Sequence, residues 1–143
     1  MKKLALATLP LLLSATFAIA QTPKEIVLEG LNAVFIEPNP ERVKELFSPD
    51  YIQHNPMFPN GNETVIGFAT NPPPDFSYEI GNVIADGNLV AVHFRVTGFG
   101  PKPMIGVDIL RVEDGLIVEH WDVLQEEITE TVSGNPMFTP AIQ

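Results

Sequence analysis

The 143-residue chain contains no cysteine. Disulfides, thiolate metal centres and a cysteine nucleophile are therefore excluded, and any catalysis must use carboxylates, imidazoles, hydroxyls or a bound cofactor. Positive charge is also scarce: 8 Lys and Arg stand against 18 Asp and Glu, for a formal charge of -10. With nothing basic to displace counterions from a phosphate backbone, nucleic acid is not an expected partner. Only three histidines are present, and no two of them have the short spacing of a helix-borne zinc pair, so no metal and no other cofactor is expected. Charged residues at 18% and hydrophobic residues at 45% fit neither a disordered tail nor a coiled coil. There is no internal repeat or low-complexity tract, and the length suits a single domain.

The start of the chain is set apart. Lys2 and Lys3 precede an almost wholly apolar run from Leu4 to Leu13, and Ala18-Ile19-Ala20 supplies a small-residue cleavage pattern before Gln21. Residues 1–20 read as a signal peptide and 21–143 as the single mature domain, exported to the periplasm or secreted. As a membrane anchor the run is short and broken by Pro10 and Ser14, so no membrane attachment is expected after cleavage. Two of the eight basic residues and none of the acidic ones precede Gln21, so the mature chain is more acidic still. Such a charge serves solubility.

Thr22-Pro23-Lys24-Glu25 has the form of a capping box with proline in the first turn. Val27, Leu28, Leu31, Val34 and Phe35 follow at helical spacing, which predicts an amphipathic helix stopping before Pro38. Asn39-Pro40-Glu41 restarts a shorter helix with Val43, Leu46 and Phe47 on one face, ended by Ser48-Pro49-Asp50. Tyr51 to His54 reads as a brief strand entering a loop at Asn55-Pro56, and Glu63 to Ala69 as two helical turns with Val65 and Phe68 inward. Beyond Pro72-Pro73-Pro74 the period changes to that of sheet. Strands are expected at Phe76–Ala85 and Leu89–Gly98 around Asp86-Gly87-Asn88, and at Pro103–Val112 and Leu116–Gln125 around Glu113-Asp114-Gly115. Helices followed by an antiparallel meander make an α+β fold, with the helical stripes covering one face of a curved sheet. Met137 and Phe138 in the tail are expected to fold back onto the surface or a neighbour.

Polar residues on the covered face of such a sheet demand an explanation, because burial without a partner is costly. His93 sits mid-strand; taken alone, a strand histidine more often serves structure or surface than chemistry. The last hairpin says more. A three-residue loop at Glu113-Asp114-Gly115 sets Asp108 opposite His120, with Asp122 on the same face, so two acids and an imidazole converge. A carboxylate beside another negative charge, or walled by residues such as Leu110, Val118 and Leu124, keeps its proton to higher pH, as a general acid or base requires. A two-residue loop at Asp114-Gly115 puts Glu119 and Trp121 on that face instead, and the sequence leaves both registers open. Tyr51, His54 and Asn55 form a second polar cluster, readable as turn chemistry or as part of a site. Trp121 and Gln125 are candidates for the wall and a hydrogen-bond donor of a pocket, or for rim packing.

Three segments resemble a known pattern: Tyr51 to Pro56, Ala85 to His93, and Val107 to Gln125 with its Glu119-His120-Trp121-Asp122 core. They are similar to the SnoaL-like polyketide cyclase family of the nuclear transport factor 2-like superfamily, over roughly residues 23–138. The resemblance implies a cone-shaped, cystatin-like α+β barrel: a strongly bent antiparallel sheet around helices, a blind apolar pocket, and commonly a homodimer through the outer sheet face. It implies ring closure by aldol condensation without metal or organic cofactor, with Asp122 where the acid/base aspartate is expected. Asp108 stands where the founding cyclases carry a histidine, and a carboxylate pair shares a proton where a His-Asp pair exchanges one. An export signal is a second departure, since polyketide cyclisation takes place beside cytoplasmic synthases. The expectation is an acid/base enzyme of cyclase, isomerase or lyase type acting on a small apolar carbonyl compound. Asp122 would be the base, His93 or Tyr51 the donor to the enolate oxygen and Asp108 the proton holder. Tyr51, His54, Asn55, His120, Trp121 and Gln125 are the expected substrate contacts. The alternative is a periplasmic ligand-binding or dimeric interaction module of the same fold.

Overall fold

The computed structural model describes residues 20–141. The segment read as a signal peptide lies outside the described residues except for Ala20. Helix α1 (Pro23–Leu31) begins as the sequence predicts: the Thr22 side chain accepts the Glu25 N–H, and the Glu25 carboxylate accepts the Thr22 N–H at 2.7 Å. Those Thr22 hydrogen bonds, backbone first, hold the Glu25 carboxyl below its ordinary range. The helix does not run on regularly to Pro38. Its last part widens into a π turn (Asn32–Ile36), closed by the Glu37 N–H donating to the Asn32 carbonyl at 2.8 Å, five residues back. This wider turn buries Val34 and sets Phe35 on the wall of the cavity described below.

Helix α2 (Pro40–Leu46) is capped by Asn39, whose side chain accepts the Arg42 N–H, and gives way to strand β1 (Phe47–Gln53). Phe47 thus belongs to the strand. Helix α3 (Glu63–Thr70) precedes the meander of β2 (Ser77–Asp86), β3 (Leu89–Thr97), β4 (Met104–Glu113) and β5 (Leu116–Glu126). The sheet order is β1-β5-β4-β3-β2, with β1 parallel to β5 and every other pair antiparallel. The fold is α+β, as the sequence implies. The expected barrel is a curved sheet that does not close, because β1 and β2 remain its two edges.

Val90, Val92, Leu110, Val112 and Ile117 of the concave face pack under Val27, Leu31, Val34, Val43 and Leu46 of the helices. Each such fully buried aliphatic side chain stabilises the fold by about 1.5–3 kcal/mol relative to exposure. Two glycines let layers close up. A Cβ on Gly30 would lie 2.6 Å from the Ile117 side chain, and one on Gly106 would lie 2.5 Å from the Phe94 ring.

The β4–β5 hairpin settles the open register by an unexpected route. Its turn is the two-residue one, Asp114-Gly115, with φ of 49° and 82°, the left-handed pair that a type I′ turn needs. Alone, that turn would face Glu119 and Trp121 inward. Between the pairs Val112↔Ile117 and Arg111↔Glu119, however, Val118 is left without a partner on β4. This β-bulge flips the parity, so Ile117 points inward before it and His120, Asp122 and Leu124 do so after it. The residue directly opposite Asp108 is therefore Asp122, while His120 faces Leu110.

Candidate functional site

A cavity of about 400 Å³ lies between the concave face and the helices. Its walls are apolar: Leu31, Val34 and Phe35 from the first helical segment, Val65 and Phe68 from α3, and Phe94, Met104, Leu110 and Leu124 from the sheet. Met57, Phe58 and Phe99 line it while remaining exposed, so they mark its mouth. Tyr78 stands in a stack between Phe35 and Phe94, with ring centroids 4.8 and 4.7 Å away. The stack fixes where its hydroxyl points.

That hydroxyl donates to Asp108 Oδ2 at 2.6 Å, and His120 Nε2 lies 3.0 Å from Asp108 Oδ1. Asp108 is 5% exposed, so its two hydrogen bonds replace water. On the other side of the imidazole, His120 Nδ1 lies 2.9 Å from Gln53 Oε1. The Asn55 backbone N–H donates to that same oxygen at 2.9 Å, which fixes the orientation of the Gln53 amide. Because Oε1 can only accept, Nδ1 of His120 carries a hydrogen. One further hydrogen must lie between Nε2 and Asp108 Oδ1, on one or the other, since two acceptors cannot face each other at 3.0 Å.

Asp122 is held from a different direction. Asn55 Oδ1 accepts the Met57 N–H at 2.8 Å, so its Nδ2 faces and donates to Asp122 Oδ2 at 2.6 Å. Asp122 Oδ1 has no partner among the described residues. Tyr51 is 2% exposed, lines the cavity and stacks parallel to His120 with ring centroids 6.4 Å apart; its hydroxyl likewise has no partner among the described residues. Burial, then the charges of Asp108 and Asp122, push the Tyr51 hydroxyl far above the ordinary phenol range. Tyr78 is shifted the same way, by burial first and then by Asp108.

Tyr51, Asn55, Asp108, His120 and Asp122 are thus brought together. Four other expected residues are not. His93 pairs with Val107 on the outer face, because alternation in β3 turns Val92 and Phe94 inward; its ring meets Phe138 at 5.5 Å. Phe138, the folded-back tail residue, is buried. His54 and Trp121 stack on each other outside the cavity, 4.9 Å apart, with His54 Nε2 2.8 Å from Glu119 Oε1. That hydrogen bond and the Arg111 guanidinium hold the Glu119 carboxyl below its ordinary range. Gln125 pairs with Ile105 and is exposed. Sequence reading missed Gln53 and Tyr78. Strand alternation signals both: Gln53 lies between Tyr51 and Asn55 at period two, and Tyr78 shares its parity with Ile80.

A model of the SnoaL-like domain matches residues 28–120. The chain belongs to the SnoaL-like family. The matched stretch contains every polar residue of the SnoaL-like cavity named above except Asp122, two positions beyond its end. Among solved structures, IdmH from Streptomyces antibioticus, a candidate polyketide cyclase, is 25% identical over 73% of this chain and 92% of its own, with a TM-score of 0.57. A candidate ketosteroid isomerase from Kribbella flavida is 22% identical over 73% and 78% of the two chains, TM-score 0.62. An NTF2-like protein of unknown function from Cytophaga hutchinsonii is 20% identical over 76% and 95%, TM-score 0.64. No curated protein sequence matches. The last two structures bear on the SnoaL-like fold alone.

Proposed function

We propose that this protein is a cofactor-independent acid/base enzyme of cyclase, isomerase or lyase type, acting on a small, largely apolar carbonyl compound. One observation carries the reading. At the polar end of an apolar cavity, a carboxylate oxygen (Asp122 Oδ1) and a hydroxyl donor (Tyr51) have no partner among the described residues, while Asn55 holds the other oxygen of Asp122 and His120 and Tyr78 hold Asp108. A carbonyl compound supplies the two missing partners: an acidic C–H beside its carbonyl for Asp122, and the carbonyl oxygen for Tyr51. Asp122 takes the proton, Tyr51 donates to the developing enolate oxygen, and the hydrogen shared by His120 and Asp108 is the one available for return. Tyr51 fills the donor role that the sequence left between it and His93. A positioned donor of this kind contributes about 3 kcal/mol to the barrier. The cyclase description of IdmH supports the same class of chemistry.

In this reading the protein is exported by its first twenty residues and works as a homodimer through the outer sheet face, where Ile84, Ile109 and Val123 are exposed. Incubation with a library of apolar ketones and aldehydes, followed by mass spectrometry, tests the activity. The parent is expected to convert at least one compound, and Asp122→Asn to lose about 100-fold or more of that rate with its fold intact. Unchanged turnover in Asp122→Asn removes Asp122 as the base, and ligand binding with no product favours the binding-module alternative.

A further inference from the structure

The shared hydrogen between His120 and Asp108 sits inside a larger constellation. One oxygen each from Asp108 and Asp122 and one nitrogen of His120 lie within 4.8 Å of one another. Three such atoms enclose a point no farther than about 2.8 Å from any of them, against about 2.1 Å for zinc bonded to imidazole nitrogen or carboxylate oxygen. Side-chain rotations that move each ligand atom by about 0.7 Å or less close that gap.

We infer that Asp108, His120 and Asp122 form a binding site for one divalent transition cation, competing with the hydrogen that the His120–Asp108 pair holds. Three features of the surroundings point to an ion. The imidazole is already oriented as a ligand, because Nδ1 donates to Gln53 Oε1 and leaves Nε2 as the atom facing Asp108. Second, Tyr51, only 2% exposed, lines the same cavity and stacks against the His120 ring, and its hydroxyl has no partner among the described residues. It is a ready hydrogen-bonding partner for a water or ligand on the ion's open side. Third, charge favours the exchange. With one hydrogen between Nε2 and Oδ1 the trio carries a net charge of about −1 in a largely apolar cavity, whereas a divalent ion in its place brings the trio to neutrality.

The donor set selects the class of ion. One imidazole with two carboxylates suits zinc, manganese or ferrous iron, and suits calcium or magnesium less, since those prefer oxygen alone. This site uses a single histidine with ligands from two adjacent strands, so no pair of histidines at helical spacing marks it in the sequence. If Asp122 is the base, as proposed above, an ion bound there suppresses turnover. Only that consequence rests on the functional reading; the binding itself does not.

Titration calorimetry of the full, untagged, chelator-treated chain with zinc chloride, in two buffers of different ionisation enthalpy near pH 7, tests the proposal. The expected result is one zinc per chain, with about one proton released as the ion replaces the shared hydrogen. Asp122→Asn and His120→Gln are each expected to weaken binding about 100-fold, and Gln53→Leu between 10- and 100-fold. His54→Ala, on the outer face, leaves affinity unchanged. Thermal melting establishes that each variant is folded, and should His120→Gln fail to fold, Asp122→Asn decides. Absence of heat at about 1 mM zinc overturns the site. So does affinity that survives Asp122→Asn, that falls with His54→Ala, or that comes without proton release. Loss of turnover in Asp122→Asn with no zinc binding in the parent leaves the acid/base reading standing and the cation site refuted.

Discussion

Gln53 Oε1 accepts two hydrogens at 2.9 Å, one from the Asn55 backbone and one from His120 Nδ1, and so couples a loop to an imidazole on the neighbouring strand. The backbone donor cannot change its role, so the side-chain donor has no choice either. A parallel pairing, Gln53 beside His120 at the β1–β5 seam, thereby dictates which nitrogen of the imidazole faces Asp108 as the working atom.

Removing the acceptor should release the tautomer. In Gln53→Leu, imidazole 15N shifts are expected to lose the protonated-Nδ1 signature of His120, and turnover on any substrate found falls about 100-fold through misplacement. Gln53→Glu keeps an acceptor in the same place and recovers part of both. Shifts identical to the parent in Gln53→Leu would mean that the amide does not set the tautomer.

The chain has only two tyrosines, Tyr51 and Tyr78, and both are buried with hydroxyls shifted upward, chiefly by burial. The folded protein should therefore show no tyrosinate absorbance through the ordinary phenol range near pH 10. The sign of the stability effect follows. Above pH 10 the unfolded chain releases these protons and the folded one does not, so stability present below pH 10 declines as pH rises. Two such groups give a slope of about 3 kcal/mol per pH unit. Spectrophotometric titration beside denaturant unfolding checks this; tyrosinate appearing near pH 10 in still-folded protein would contradict the burial.

Val118 is the one residue of β5 between Leu116 and Glu126 without a partner on β4, so deleting it closes the bulge and leaves Arg111 facing Glu119, Leu110 facing His120 and Asp108 facing Asp122. His120, Asp122 and Leu124 therefore stay inward, and the cost is expected to be confined to local twist and the β1 seam, about 1–2 kcal/mol. Melting temperature and binding of an apolar fluorophore report it, and a deletion variant that loses cooperative melting or binds the fluorophore strongly would show that the extra residue is indispensable.

Val123 is 71% exposed on the outer sheet face, paired with Val107 and diagonal to Ile109, which lies in line with Ile84 through Ala91. If a second copy covers that face, the parent sediments as a dimer and Val123→Lys weakens it by about 2 kcal/mol, roughly 30-fold in dissociation constant. A parent that is monomeric at high micromolar concentration, or a Val123→Lys dimer of undiminished affinity, disposes of the dimer.

Much of this molecule is legible along the chain because the signals are local. Thr22 to Glu25 caps the first helix by contacts three residues apart, Pro38 limits it, and the strands alternate between turns rich in glycine and asparagine. A three-residue loop reads Asp108, His120 and Asp122 onto one face with His120 opposite Asp108, whereas the structure pairs Asp108 with Asp122. His93 lies on the outer face instead, since a strand has two faces and polarity alone does not say which is covered.

The sequence by itself determined the element order, the acidic surface and the presence of carboxylates and imidazoles on the last hairpin, since each depends on residues near one another in the chain. The tertiary structure decided which of those groups meet. A single unpaired residue, Val118, sets the facing of everything after it in β5. Its position is fixed by simultaneous pairing to β4 on one side and β1 on the other. That is a long-range balance of hydrogen bonds and packing which no local pattern encodes, and it brings His120 and Asp122, with Gln53 and Tyr51 beside them, into one cavity.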